Sequence, residues 1–190
     1  MNIDKLKEEY GKLSEFIYFD GSQYFREQTS SIQRVKKFIE DAEQIINLSL
    51  INQELYFLYS TLGYAYRVIN EANQAIYYFK KCLNLDEHHP KWRIVTLIRL
   101  GEAYKYANLH KKALQLFDCA LNLSIDFQIT NYKDFIFQHK GKCLMELGEI
   151  EFAKEYLYEA LKIRKVSGHV ELIQSTQTVL DYLNNNNRFE

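Results

Sequence analysis

Three glycine-centred segments recur along the chain: Leu62-Gly63-Tyr64-Ala65-Tyr66, Leu100-Gly101-Glu102-Ala103-Tyr104 and Lys140-Gly141-Lys142-Cys143-Leu144. The glycines stand 38 and 40 residues apart, and twelve residues after each comes an alanine: Ala75, Ala113 and Ala153. Four residues further on is a large apolar side chain, Phe79, Phe117 or Leu157, and three beyond that a small one, Cys82, Ala120 or Ala160. A small–large–small pattern with steps of four and three lies on one face of a helix. Its recurrence at fixed slots points to a repeat architecture, in which each unit buries its apolar face only against its neighbours. An ordinary helical bundle accounts for amphipathic helices but not for this recurrence.

The turns fall in step with the repeat. Seven residues after each glycine stand Asn70, Asn108 and Gly148. These residue types tolerate the left-handed conformation that closes a helix, so each marks a bend between two antiparallel helices. Pro90 and the pair Ser167-Gly168 end two of the second helices in the same way. One proline and seven glycines in 190 residues leave little punctuation for a many-stranded β fold,. The 15 tyrosines and 12 phenylalanines are expected mainly as plugs between stacked helices.

These residues resemble the tetratricopeptide repeat (TPR) family, whose pattern is Leu-Gly-x-x-Tyr in a first helix and Ala, a large aromatic and Ala in a second. Gly and Ala let helices approach closely, and the aromatic fills the gap between successive pairs. The resemblance is strong over residues 51–166, in a longer-period form of 38–40 residues rather than the usual 34. The third repeat departs by placing Lys140 and Leu144 where Leu and Tyr are expected, and the proline that normally ends a repeat occurs only as Pro90. The resemblance implies an all-α fold: a right-handed α-solenoid of stacked antiparallel helix pairs with a C-terminal capping helix. The expected organisation is a single domain over 1–190: a degenerate helical unit at 1–50, three repeats at 51–166, and a capping helix with a polar tail at 167–190. In the first unit Val35, Ile39 and Ala42 keep the spacing of four then three, Ser30 or Ser31 caps the helix, and an aromatic loop from Tyr18 to Tyr24 follows a partner helix at 3–18,. The remaining helices are expected at 31–47, 52–69, 71–86, 91–107, 109–125, 130–147, 149–166 and 169–183.

Composition narrows the function. A net charge of -1 gives no global pull toward nucleic acid or an anionic membrane,. No run of 18 apolar residues is present, and residues 1–10 carry acids without an apolar segment, so no secretory signal is expected there. Cys82, Cys119 and Cys143, odd in number and without CxxC spacing, fit buried thiols in a reducing cytoplasm,. No phosphate loop, zinc spacing or nucleophile elbow occurs, so neither an enzyme nor a cofactor or metal is expected. The Asp86-Glu87-His88-His89 run is read as a solvated loop, because adjacent side chains point apart and a metal needs convergent ligands. Cys82 is expected in the core, Cys143 in a more open position, and His139 at the surface.

By analogy with the family, the first helices line a concave groove that binds a protein or peptide. The binding residues expected there are Phe57, Tyr64, Arg67, Arg99, Glu102, Lys105, Phe135, Gln138 and Lys142, with Ser60, Val95, Ile98, His139 and Met145 beside them. Residues 91–127 hold six basic against three acidic residues. Aromatic anchors beside arginine suit a polypeptide segment with acidic groups. TPR proteins that grip the acidic tails of heat-shock chaperones use lysines and asparagines, and here Ser60 and Tyr64 stand in those places, so that clamp is not expected. Two functions follow: an adaptor or scaffold for another polypeptide, or a sensory module, since the long period also resembles the repeats of bacterial peptide-pheromone receptors.

Overall fold

A computed structural model describes residues 2–46, 48, 50–85 and 89–186. Asp86, Glu87, His88 and Asn187, about which the sequence raised expectations, lie outside the described residues. Among the described residues the chain forms nine α-helices and one two-stranded antiparallel sheet. The helices are α1 (Ile3–Leu13), α2 (Ile32–Ile45), α3 (Asn52–Val68), α4 (Ala72–Leu83), α5 (Pro90–Tyr106), α6 (His110–Asp126), α7 (Lys133–Glu146), α8 (Ile150–Ser167) and α9 (Val170–Asn186). Each helix from α1 to α9 packs on the next in chain order, and α5 also touches α3 and α7, so the first helices of successive pairs lie side by side. The result is the all-α, TPR-like stack expected from the repeat.

The recurrent slots explain the packing. Ala75, Phe79, Ala113, Phe117, Ala153 and Leu157 are fully buried. A Cβ added at Gly101 would lie 2.5 Å from Phe117 Cε1, and one at Gly63 would lie 2.7 Å from Phe79 Cε1. The glycine therefore makes room for the ring of its own repeat. Asn70, Asn108 and Gly148 all adopt positive φ, at 65°, 58° and 78°, which closes α3, α5 and α7 where the sequence places the bends. Gly168, at φ 75°, closes α8. Tyrosines knit neighbouring layers: Glu43 Oε1 accepts from Tyr66 and Tyr78 at 2.6 and 2.9 Å, and Tyr56 stacks on Trp92 with centroids 4.4 Å apart. The cap α9 covers the open face of the last pair, where Val179, Leu180 and Leu183 join Leu157 and Leu161 in one cluster.

The N-terminal unit differs from expectation. The helix expected over 3–18 stops at Leu13, passes through a 3-10 turn at Ser14–Phe16, and gives way to a strand. The aromatic loop is a β-hairpin, with β1 (Ile17–Asp20) paired to β2 (Arg26–Thr29) in the register Ile17↔Thr29 to Asp20↔Arg26. The β-branched and aromatic run Ile17-Tyr18-Phe19 suits a strand better than a helix end. Asp20 Oδ1 takes both the N–H and the hydroxyl of Ser22, and Tyr24 and Phe25 turn back through positive φ. Ser31 does occupy the N-cap position of α2, but its side chain makes no capping hydrogen bond. Cys143, expected in a more open position, is fully buried, like Cys82. Its thiol is pushed up to about 12, chiefly by burial, so it is no nucleophile at neutral pH,.

Candidate partner-binding site

The hairpin does not hang free. Its second strand lies against the solenoid and is held there by side chains from three first helices, α3, α5 and α7. Arg26 forks onto Glu146 of α7, with Nε to Oε1 at 3.1 Å and Nη2 to Oε2 at 2.6 Å. Arg26 Nη2 also donates to the Lys105 carbonyl and the Asn108 amide oxygen, both at 3.1 Å, at the end of α5. The Glu27 N–H donates to the Tyr106 hydroxyl at 2.6 Å, and its carboxylate pairs with Arg67 of α3. Lys142 of α7 donates to the Phe25 carbonyl at 3.1 Å. The Phe25 ring meets Tyr182 of α9 edge-on at 5.3 Å, so the hairpin tip also reaches the cap.

These contacts bury a compact ionic network. Arg67 lies between Glu27 and Glu102, with its Nη1 3.3 Å from Glu102 Oε1. Glu146 lies among Arg26, Lys105 at 3.3 Å and His110 at 2.9 Å. Burial opposes the charge on Arg67, but Glu102 and then Glu27 outweigh it and hold the guanidinium protonated. Burial likewise works against the Glu146 carboxylate, yet the bond from Arg26 and the charge of Lys105 keep its pKa below the ordinary value. Lys142 has no carboxylate of its own, and burial together with Lys105 pushes it down to about 7. His139 is driven well below its ordinary pKa by burial, then by Lys105 and Lys142, so its imidazole is neutral at pH 7.

Between the hairpin and the first helices remains a cavity of about 540 Å³, partly open to solvent. Its walls carry Phe19, Phe25 and Glu27 from the hairpin, Tyr64 and Arg67 from α3, Val95, Ile98, Arg99, Glu102 and Lys105 from α5, and Phe135, Gln138, His139 and Lys142 from α7. Arg164 of α8 also lines it, bonded to Asp134 at 2.9 Å and to Thr176 of the cap at 2.7 Å. Within its walls some buried polar atoms have no hydrogen-bond partner: both amide atoms of Gln138, Nδ1 of His139, and Nε and Nη1 of Arg67.

Of the nine residues expected to bind a partner, eight line this cavity: Tyr64, Arg67, Arg99, Glu102, Lys105, Phe135, Gln138 and Lys142. Phe57 does not; it packs in the N-terminal core, edge-on to Tyr10 of α1 at 5.9 Å. Met145 also turns away from the groove, into the cluster under α9. His139, expected at the surface, lies in the cavity wall with a side chain 17% exposed. The free basic stripe expected from the sequence is corrected as well: Arg67 and Lys105 are neutralised by Glu27, Glu102 and Glu146. Arg99 is half-buried, with no hydrogen bond or ion pair among the described residues. Sequence reasoning missed Arg26, Glu27, Glu146 and Arg164, which organise the site. The hairpin pairs bridge 40 and 120 residues, so no local spacing announces them. No helix of the described residues is long and apolar enough to cross a membrane, and no group of three His, Cys, Asp or Glu among them is placed to hold a metal ion.

Comparison with known proteins agrees with the repeat. The tetratricopeptide repeat family model matches residues 58–89 and 136–166, which fall in the first and third of the three repeats. No curated protein matches the chain in sequence. Among solved structures, the apo form of RapI superposes with a TM-score of 0.68 at 17% identity, over 84% of this chain and 59% of RapI. This chain therefore spans about three fifths of that protein's length. A kinesin light chain with nearly identical TPR-like repeats from Podosopora anserina gives a TM-score of 0.63 at 14% identity, over 100% of this chain and 90% of the other. PcrH, in complex with the chaperone binding region of PopB, gives 0.54 at 20% identity, over 70% of this chain and 98% of PcrH. Carrying the repeat signature twice and stacking its helix pairs in chain order as the repeat demands, the chain is similar to the tetratricopeptide repeat family over those two stretches and has a TPR-like fold.

Proposed function

We propose that this protein is a non-enzymatic, cytoplasmic adaptor that binds a segment of another polypeptide in its concave groove. One observation carries the reading: the groove already grips a short segment, residues 25–27 of its own hairpin, through backbone and side chain together. The Phe25 carbonyl, the Arg26 guanidinium, the Glu27 N–H and the Glu27 carboxylate each have a dedicated partner on α3, α5 or α7. A partner segment with an aromatic residue followed by a basic and an acidic one would satisfy the same groups. PcrH, a similar fold, is seen in complex with the chaperone binding region of PopB, which supports a polypeptide partner.

The test uses the hairpin itself as probe. A labelled peptide of residues 17–30 is titrated into wild type and into the double variant Arg26→Ala/Glu27→Ala, whose own hairpin is loosened. The peptide is expected to saturate the double variant and to bind wild type at least tenfold more weakly, because the tethered hairpin competes at high effective concentration. Equal affinity for both proteins, or no binding to either, would refute the groove as a segment-binding site.

A second reading, a sensory module responding to a small ligand, is favoured by the cavity. Its volume of about 540 Å³ lies within the usual range of small-ligand pockets,.

A further inference from the structure

The charges around the cavity nearly cancel, and the remainder is informative. Arg26, Arg67 and Lys105 are matched by Glu27, Glu102 and Glu146, and Arg164 is matched by Asp134. What is left over is Arg99, without a partner among the described residues, and Lys142, whose hydrogen bond goes to a neutral carbonyl. Both face the same cavity. Beside Lys142 on α7 stands Gln138, 3% exposed, with neither its amide nitrogen nor its amide oxygen hydrogen-bonded. A buried amide with both ends unpaired is costly in the empty protein and asks for a polar occupant. Beside His139 and Ser175, the rest of the wall is apolar or aromatic, with Val95, Ile98 and Phe135 from the helices and Phe25 from the hairpin.

We infer that the cavity under the hairpin is a binding site for a small organic carboxylate with an aromatic or branched apolar body. Arg99 faces the carboxylate with its guanidinium fork, a geometry suited to two parallel hydrogen bonds. Lys142 adds positive charge, Gln138 hydrogen-bonds the ligand's amide or carboxyl group, and Val95, Ile98 and Phe135 cover the apolar body. The hairpin forms the roof, so an occupant here touches Phe25 and Glu27 on one side and the solenoid on the other. The site is separate from the segment-binding reading, because it uses the space left when the hairpin is docked.

The probes are N-acetyl-L-phenylalanine and its neutral isostere N-acetyl-L-phenylalaninamide, titrated calorimetrically into the intact chain. The carboxylate is expected to bind with one-to-one stoichiometry at submillimolar concentration, and the amide at least tenfold more weakly. Arg99→Gln, at a half-buried residue with no partner to orphan, is expected to keep the fold by circular dichroism and to erase that tenfold difference. Gln138→Leu separates a ligand-binding role from a packing role: it should raise the melting temperature of the empty protein and still weaken the carboxylate. Absence of carboxylate binding, equal binding of both probes, or an Arg99→Gln protein that discriminates like wild type would overturn the inference. If the carboxylate fails while the hairpin peptide still binds the double variant, only this inference falls; the reverse result removes the segment-binding reading and leaves this one.

Discussion

Arg26→Ala is the substitution that asks most directly whether the hairpin is a docked element or an integral part of the solenoid. Arg26 places two charged hydrogen bonds on Glu146, at 3.1 and 2.6 Å, and Glu146 is almost wholly buried. Stripping the sole partner from a buried charge costs about 3–5 kcal/mol. Here Glu146 would keep Lys105 at 3.3 Å and His110 at 2.9 Å, so the expected loss is nearer that of the charged hydrogen bonds themselves, about 2–3 kcal/mol,. That loss should fall on docking. The Glu27 amide is the reporter, because its N–H donates to Tyr106 across the interface. At about 1.4 kcal/mol per factor of ten, its hydrogen-exchange protection should drop by about 30–150-fold. Amides in the middle of α3 and α5, such as those of Leu62 and Leu100, should change far less. Unchanged protection at Glu27 would refute the assigned role of Arg26. An equal loss at Leu62 and Leu100 would show instead that the hairpin opens only with the whole domain.

Three further outcomes follow from other parts of the structure. Gly101→Leu should destabilise by at least about 1–3 kcal/mol, since even its Cβ would meet Phe117 at 2.5 Å; an unchanged urea midpoint would contradict the close approach,. Burial lowers the Lys142 pKa to about 7, so between that pH and its ordinary value of 10.5 the unfolded chain binds a proton there that the folded chain lacks. Stability from this group therefore grows as pH rises from 7, by up to about 1.4 kcal/mol per unit, until the Cys143 thiol, whose pKa is raised in the fold, offsets the rise above pH 9,. Lys142→Met should flatten the rise between pH 7 and 8.5 in urea titrations, and parallel wild-type and variant profiles would contradict this. Deleting residues 169–190 uncovers Leu157 and Leu161 and leaves Arg164 without Thr176 and the Leu172 carbonyl, so light scattering should show more association than for the full chain, and equal scattering would contradict the capping role of α9,.

The solenoid was legible because its determinants are local or periodic. Gly101 and Phe117 lie 16 residues apart in consecutive helices, and the same pair recurs as Gly63 with Phe79. Each slot is also of a type whose reason is steric: a glycine against a ring, an asparagine at positive φ. The N-terminal unit escaped the same reading because it has one copy. Ile17-Tyr18-Phe19 contains apolar residues that extend the helical phase of α1 as easily as they start a strand. The choice between them is made by Arg26–Thr29, which supplies the pairing partner.

The site was legible by position but not by state. Eight of the nine expected residues share one cavity because the side-by-side arrangement of α3, α5 and α7 follows from the repeat. Whether each is free could not be read from its own helix. Arg67, Arg99 and Lys105 look alike as basic residues of the groove, yet Arg67 and Lys105 meet carboxylates from elsewhere and only Arg99 is left over. Glu27 comes from the hairpin, and Glu146 lies one helix away at the far end of α7. A groove judged by counting its cations therefore looks ready for a highly acidic partner. Paired side by side, those charges leave one unmatched guanidinium and one lysine poised near neutrality, which suits a ligand with a single negative charge far better than a polyacidic segment. Charge complementarity in a buried groove is decided by the residue left after internal pairing, because every matched pair would have to be broken before it could serve a partner.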